Sequence, residues 1–119
     1  IVMNRDYLLG EAKAFALAYA KSFEPMEPEP VYAAGRDQYA GLMLGVAGFR
    51  EAGFASEHDG LIAQKLAYVL TGGGLAQPQF VPQRYILNLE KQAFIELAMT
   101  PKTLERVTHM LQTGKPLRN

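Results

Sequence analysis

The chain has 119 residues, 49% hydrophobic and 20% charged, with twelve basic side chains balanced by twelve acidic ones and no cysteine. That length holds one modest core and not two, and the mix is that of a folding chain rather than a disordered one. Without Cys there are no disulfides, thiolate nucleophiles or Cys-ligated zinc; the charge balance argues against a general nucleic-acid binder; and no apolar run approaches the roughly 20 residues that span a bilayer.

The opening "IVMNRDYLLGEAK" lacks a basic segment followed by an apolar one, so no secretion signal is expected, and a start on Ile1 suggests a cut-down or processed piece. In "NRDYLLGEAKAFALAYAKSF", Leu8, Ala12, Phe15 and Tyr19 recur at alternating steps of four and three, the spacing of one helical face. Alanine content favours helix on propensity as well. A first helix is expected over about 5–21.

Residues 23–31 form a Pro-rich connector, in which Pro25, Pro28 and Pro30 each remove an amide donor and fix φ near polyproline II. "GRDQYAGLMLGVAGFREAG" then sets Tyr39, Leu42, Met43, Val46 and Phe49 on one stripe, with Gly53 placed to end the helix. Gly41, Gly45 and Gly48 lie inside this second helix. Each costs roughly 1 kcal/mol of propensity relative to Ala, so close approach of another helix or a ligand is expected there.

"SEHDGLIAQKLAYVLTGGG" opens on Ser56 as N-cap with Asp59 three residues on, a capping box with Asp in place of Glu. Leu61, Ile62, Leu66 and Val69 supply its expected buried face, and Gly72 to Gly74 stop it. Pro82 suits the first turn of a fourth helix, "RYILNLEKQAFIELAM", which is apolar on most sides. A helix of that kind is central to a bundle or covered by a partner. The fifth begins with Thr100 as cap and Pro101 in the first turn, turns Leu104, Val107 and Leu111 inward, and closes at Gly114. No segment shows strand alternation. The class is therefore all-α, about five helices in a single domain over 1–119.

Few constellations suggest chemistry. His58 and His109 have no metal-ligand spacing around them, so no metal site is expected; His58 reads as a first-turn residue beside the Ser56 cap, and His109 as a neighbour of its helix's negative end. "TGGG" follows a helix and lacks Gly-Lys-Ser/Thr, so it reads as a helix stop rather than a phosphate cradle. Glu90 and Glu96 are about 600° apart around the axis and point to different sides, which does not support an acid–base pair. Met26, Met43, Met99 and Met110 read as core gap-fillers. No catalytic residue emerges. Charge, however, is uneven: residues 1–60 carry five basic and nine acidic side chains, residues 61–119 seven and three. The basic C-terminal stretch, Lys102, Arg106, Lys115 and Arg118 against Glu105, is where a phosphate-bearing partner would be steered.

Two stretches together, "GFASEHDGLIAQKLAYVLTGG" and "YILNLEKQAFIELAMTPKTLERVTHMLQTGKPLRN", resemble the C-terminal region of bacterial proteins that fuse a 3-hydroxyacyl-CoA dehydrogenase to an enoyl-CoA hydratase (crotonase) segment in fatty-acid β-oxidation. "RDYLLGEAKAFALAYA" and "GRDQYAGLMLGVAGFREAG" fit the same region, so the likeness covers nearly the whole chain. The last 30 residues are also similar to the ending of stand-alone crotonases, with Phe94, Leu97, Thr100, Glu105, Leu111, Lys115 and Pro116 in matching positions. The resemblance implies C-terminal helices that pack on a catalytic core, take part in oligomer contacts and help cover a CoA thioester.

Where crotonases place an aromatic residue and a Lys near the CoA adenine, this chain has Met110 and Thr113, leaving Lys115 and Arg118 as the candidate CoA phosphate contacts. The crotonase core and the strand-borne Gly-x-Gly-x-x-Gly of an NAD domain are both missing. The resemblance therefore implies a non-catalytic, cytoplasmic helical domain, with no cofactor of its own. NAD and acyl-CoA would belong to the parent enzyme, and the partners would be upstream catalytic domains of the same chain and further copies in a homo-oligomer. The alternative is a free-standing helical interaction module that takes a peptide or protein in the glycine-lined groove of the second helix. A DNA-binding helix-turn-helix ranks below both, because Glu57, His58 and Asp59 would face phosphate.

Overall fold

Local signals place the elements of the computed structural model, which describes residues 4–119; residues 1–3, at the opening from which a processed start was inferred, lie outside the described residues. A 3₁₀ turn, Arg5–Tyr7, leads into α1, Leu8–Ala20. Then follow β1 (Val31–Ala33), α2 (Gly35–Glu51), α3 (Glu57–Leu70), β2 (Gln79–Val81), α4 (Gln83–Ala98) and α5 (Pro101–Thr113). The class is all-α, with five α-helices among the described residues.

The caps work as the sequence indicates. At α3 the Ser56 hydroxyl accepts from the Asp59 amide at 3.1 Å while the Ser56 amide donates to the Asp59 carboxylate at 2.9 Å. Thr100 caps α5 with Pro101 at its start, and Gly114 ends it at φ 68°. Gly53, at φ 75°, follows the end of α2. Pro82 precedes α4 as its N-cap rather than joining its first turn, a one-residue difference.

The expectation of no strand is corrected by a short antiparallel ribbon. Val31 pairs with Val81, Tyr32 with Phe80 and Ala33 with Gln79. Each strand borders a proline-containing stretch already extended by its fixed φ, and Tyr32 meets Phe80 edge-on at 5.5 Å between ring centres. The period is too short to read: three residues give no alternation to count.

The ribbon anchors what core there is. Ala33, Ala67, Val69, Val81 and Ala93 are the buried hydrophobic residues among those described, and Thr71 is fully buried with its hydroxyl donating to the Ala67 carbonyl at 2.8 Å. Gly72 passes against Ala33 and Leu75 at φ 81°, leaving no room for a Cβ. Gly35 does the same against the Gln77–Pro78 backbone, and its amide donates to the Thr71 carbonyl at 2.9 Å. The Tyr85 hydroxyl donates to the Gly72 carbonyl at 2.9 Å, tying α4 to the same knot.

Beyond this knot the helices form an open array in chain order, α2 against α3, α3 against α4, α4 against α5. The radius of gyration is 20.9 Å, where a globule of this length has about 13–14 Å. The accessible surface is 9838 Å² for 13.1 kDa, against about 6,400 Å² for a folded monomer of that mass.

Several expected inward faces consequently point out. Leu8, Phe15 and Tyr19 are exposed, and no residue of α1 is buried. On α3, Val69 is buried and Leu61 and Ile62 are half-buried, but Leu66 is 58% exposed. On α5, Leu104, Val107 and Leu111 are all exposed, with Thr103 and Arg106 turned toward α3 instead. Met26, Met99 and Met110 are exposed and Met43 half-buried, so the methionines do not fill a core. Gly41, Gly45 and Gly48 lie about opposite the α3-facing stripe of Tyr39, Met43, Val46 and Arg50, and nothing among the described residues outside their own helix comes within 4 Å of where their Cβ atoms would be. One cause accounts for all of these differences. A periodic apolar stripe states that a face seeks cover, and the described chain does not contain the cover.

Candidate functional site

Three features lie outside the core: a polar junction between α3 and α5, the folded-back basic segment 115–119, and an apolar groove between α3 and α4.

The junction starts from the α3 cap. Asp59, fixed by the Ser56 amide, also accepts from Arg106 Nη1 at 2.7 Å, and Arg106 Nη2 donates to the Ser56 hydroxyl at 3.3 Å. These bonds favour the charged carboxylate, so the Asp59 pKa falls to about 2, the Ser56 amide contributing most and Arg106 next. Beside it His58 is buried, with Nε2 2.9 Å from Thr103 Oγ1, which in turn lies 2.8 Å from Thr100 Oγ1. Burial and then the nearby Arg106 and Lys102 charges lower the His58 pKa, outweighing Asp59 and Glu105. His58 is thus a neutral structural contact between α3 and α5. His109 lies half-buried in a shallow depression on α5 with Leu117.

Arg106 was expected in the basic patch and is instead committed to this junction. Its remaining donors hold Asn119: Nε to Oδ1 at 2.7 Å and Nη2 to the backbone carbonyl at 3.2 Å. The Asn119 amide donates back to the Lys102 carbonyl at 3.3 Å and to Glu105 Oε2 at 2.7 Å. Gly114 turns the chain, Leu117 rests half-buried against α5, and residues 115–119 run back along the helix. Lys115 and Arg118 are both exposed on this tail, and neither joins an ion pair among the described residues. Met110 is exposed, and the Thr113 hydroxyl donates to the His109 carbonyl at 2.8 Å. No sequence signal singles out Asn119, since the partners of a lone asparagine depend on a turn it does not itself encode.

The groove, of about 640 Å³, is lined by Leu66 and Leu70 from α3 and Ile86, Leu87, Phe94 and Leu97 from α4, with Lys65, Glu90 and Lys91 also on its wall. Phe94 is 70% exposed within it. The all-round apolar character of α4 is the sequence signal for this surface. Glu96 faces away from Glu90 and pairs with Lys65, so the two carboxylates do not meet in a reacting pair.

The glycine run does not fit a dinucleotide. The Gly72 and Gly73 amides already donate to the Val69 and Tyr68 carbonyls, closing α3, and the described sheet is a two-stranded antiparallel ribbon rather than a parallel one. Among the described residues no three His, Cys, Asp or Glu side chains gather as metal ligands, and no helix is long and apolar enough to cross a membrane.

No family model matches the chain, and no solved structure does. A protein of Bacillus subtilis (strain 168), "Probable 3-hydroxyacyl-CoA dehydrogenase", is 42% identical over 120 residues. The match takes in all of this chain, which spans 15% of that relative's length.

Proposed function

We propose that the chain is a non-catalytic helical domain of a longer 3-hydroxyacyl-CoA dehydrogenase in fatty-acid β-oxidation. The observation that carries the proposal is the full-length match at 42% identity to a small part of a protein bearing that name. The open array supports it. Exposed apolar faces on α1, α4 and α5 are what a domain presents when the rest of its polypeptide supplies the cover. In this reading the domain packs on upstream catalytic domains, contributes to homo-oligomer contacts and helps close an acyl-CoA site in a cytoplasmic enzyme. Lys115 and Arg118 act as contacts for CoA phosphates, for which two exposed cations in no ion pair among the described residues have suitable chemistry. NAD binding, the redox step and any enoyl-CoA hydratase activity reside in the remainder of that polypeptide.

The test is NAD reduction with a 3-hydroxyacyl-CoA, measured on the purified native polypeptide and on residues 1–119 alone. The native polypeptide should turn over and the 119-residue chain should not. Turnover by the 119-residue chain, or none by a native polypeptide containing it, overturns the proposal. The open glycine face of α2 favours a second reading, a free-standing module with a helical partner laid on that face. It requires a native product of about this length that binds no CoA ester.

A further inference from the structure

Asn119 makes four hydrogen bonds, and both halves of its side chain are used. The amide oxygen and the backbone carbonyl accept from Arg106; the amide nitrogen donates to the Lys102 carbonyl and the Glu105 carboxylate. Its partners lie 13 to 17 residues back in the chain, on the first two turns of α5. Arg106 is itself immobilised from the other side by Asp59 and Ser56, so the tail is fastened through α5 to the N-terminus of α3.

The intervening residues suit a preformed return. Gly114 supplies the left-handed turn, Pro116 restricts the backbone, and Leu117 rests on α5 beside Pro101, Leu104 and Thr108. With Leu117 and Asn119 turned toward the helix, Arg118 between them faces solvent. Two cations on a loose segment lose conformational freedom when they grip an anion. A backbone held at Asn119 on one side and by the Lys115 amide on Thr113 Oγ1 on the other has lost its share of that freedom already.

We propose that Asn119 is a positioning residue, a latch that holds residues 115–119 along α5 so that Lys115 and Arg118 form a pre-ordered cationic site for the phosphates of a CoA ester. The ligand class rests on the proposed function; the latch itself rests on the hydrogen bonds. Arg106 belongs to the latch and not to the ligand contact, because four of its five N–H donors are already taken and its charge is paired with Asp59.

The test uses the full native polypeptide with two readouts, amide hydrogen exchange over residues 113–119 and affinity for coenzyme A, with inorganic pyrophosphate as a probe of charge alone. Asn119→Ala keeps every cation. It should speed exchange in the tail at least tenfold and weaken coenzyme A binding by roughly tenfold, leaving the exchange of α3 and α4 unchanged. Lys115→Ala/Arg118→Ala should weaken binding at least as much while the tail stays protected. Unchanged exchange in Asn119→Ala overturns the latch. Faster exchange with unchanged affinity overturns the positioning role. Unchanged affinity in the double variant overturns the phosphate-contact reading itself, and the ligand assigned to the latch with it.

Discussion

Arg106→Met should destabilise the chain by about 2 kcal/mol at pH 7, a figure that follows from its surroundings. The Arg106 and Asp59 side chains are 19% and 32% exposed, so their pair lies between an exposed one, worth about 0–1 kcal/mol, and a buried one whose breakage costs about 3–5. Depression of the Asp59 carboxyl to about 2 corresponds to roughly 2 kcal/mol favouring its charged form, which Arg106 shares with the Ser56 amide. The two bonds to Asn119 add a contribution of about the same size as Arg106's part in that. Urea unfolding followed by far-UV circular dichroism would measure the loss, with a thermal midpoint lower by roughly 8 °C. Because the folded pKa of Asp59 is below its unfolded value, the pair's contribution is complete above about pH 4 and disappears as pH falls through about 2. The difference between parent and variant should shrink over that window. A loss under about 0.5 kcal/mol at pH 7, or an equal loss in an Asp59→Asn background, would refute this account of the junction.

His58 is buried with a lowered pKa, so the unfolded chain takes up its proton first: stability should fall as pH drops below about 6.5, more steeply in the parent than in His58→Gln. Equal slopes in urea titrations between pH 7 and 5 would contradict the burial argument. Gly72→Ala would set a Cβ 2.6 Å from a Leu75 methyl and 2.7 Å from the Ala33 Cβ at φ 81°, so a loss of about 2–4 kcal/mol is expected in thermal unfolding. Gly74→Ala, with open space at that position, should change stability by less than about 0.5 kcal/mol. Gly41→Ala, Gly45→Ala and Gly48→Ala should each stabilise the isolated chain by about 0.5–1 kcal/mol, since nothing faces them within it. A loss in the native polypeptide, but not in the isolated chain, would identify the surface that a neighbouring element covers.

What the sequence disclosed was local. Ser56 with Asp59, Thr100 with Pro101, Gly53 and Gly114 each carry their structural meaning within four residues, and the helix ends follow them. Whatever depended on distant partners was hidden. Arg106 reads as part of a basic patch until Asp59, 47 residues away, and Asn119 are seen to take three of its five donors. Leu104, Val107 and Leu111 mark an apolar face correctly, but a stripe does not say whether its cover lies within the chain or outside it. The β1–β2 ribbon joins two three-residue strands separated by two helices, a pairing that no local period records.

The central claim is that this chain is one helical part of a longer enzyme polypeptide. The most direct measurement is the mass of the native product in cell extract, detected with an antibody raised against residues 1–119. A product several times longer is expected, and it would supply the cover that α1, the α3–α4 groove and α5 lack. A native product of about 119 residues would contradict the claim and turn the same exposed faces into the surface of a free-standing module.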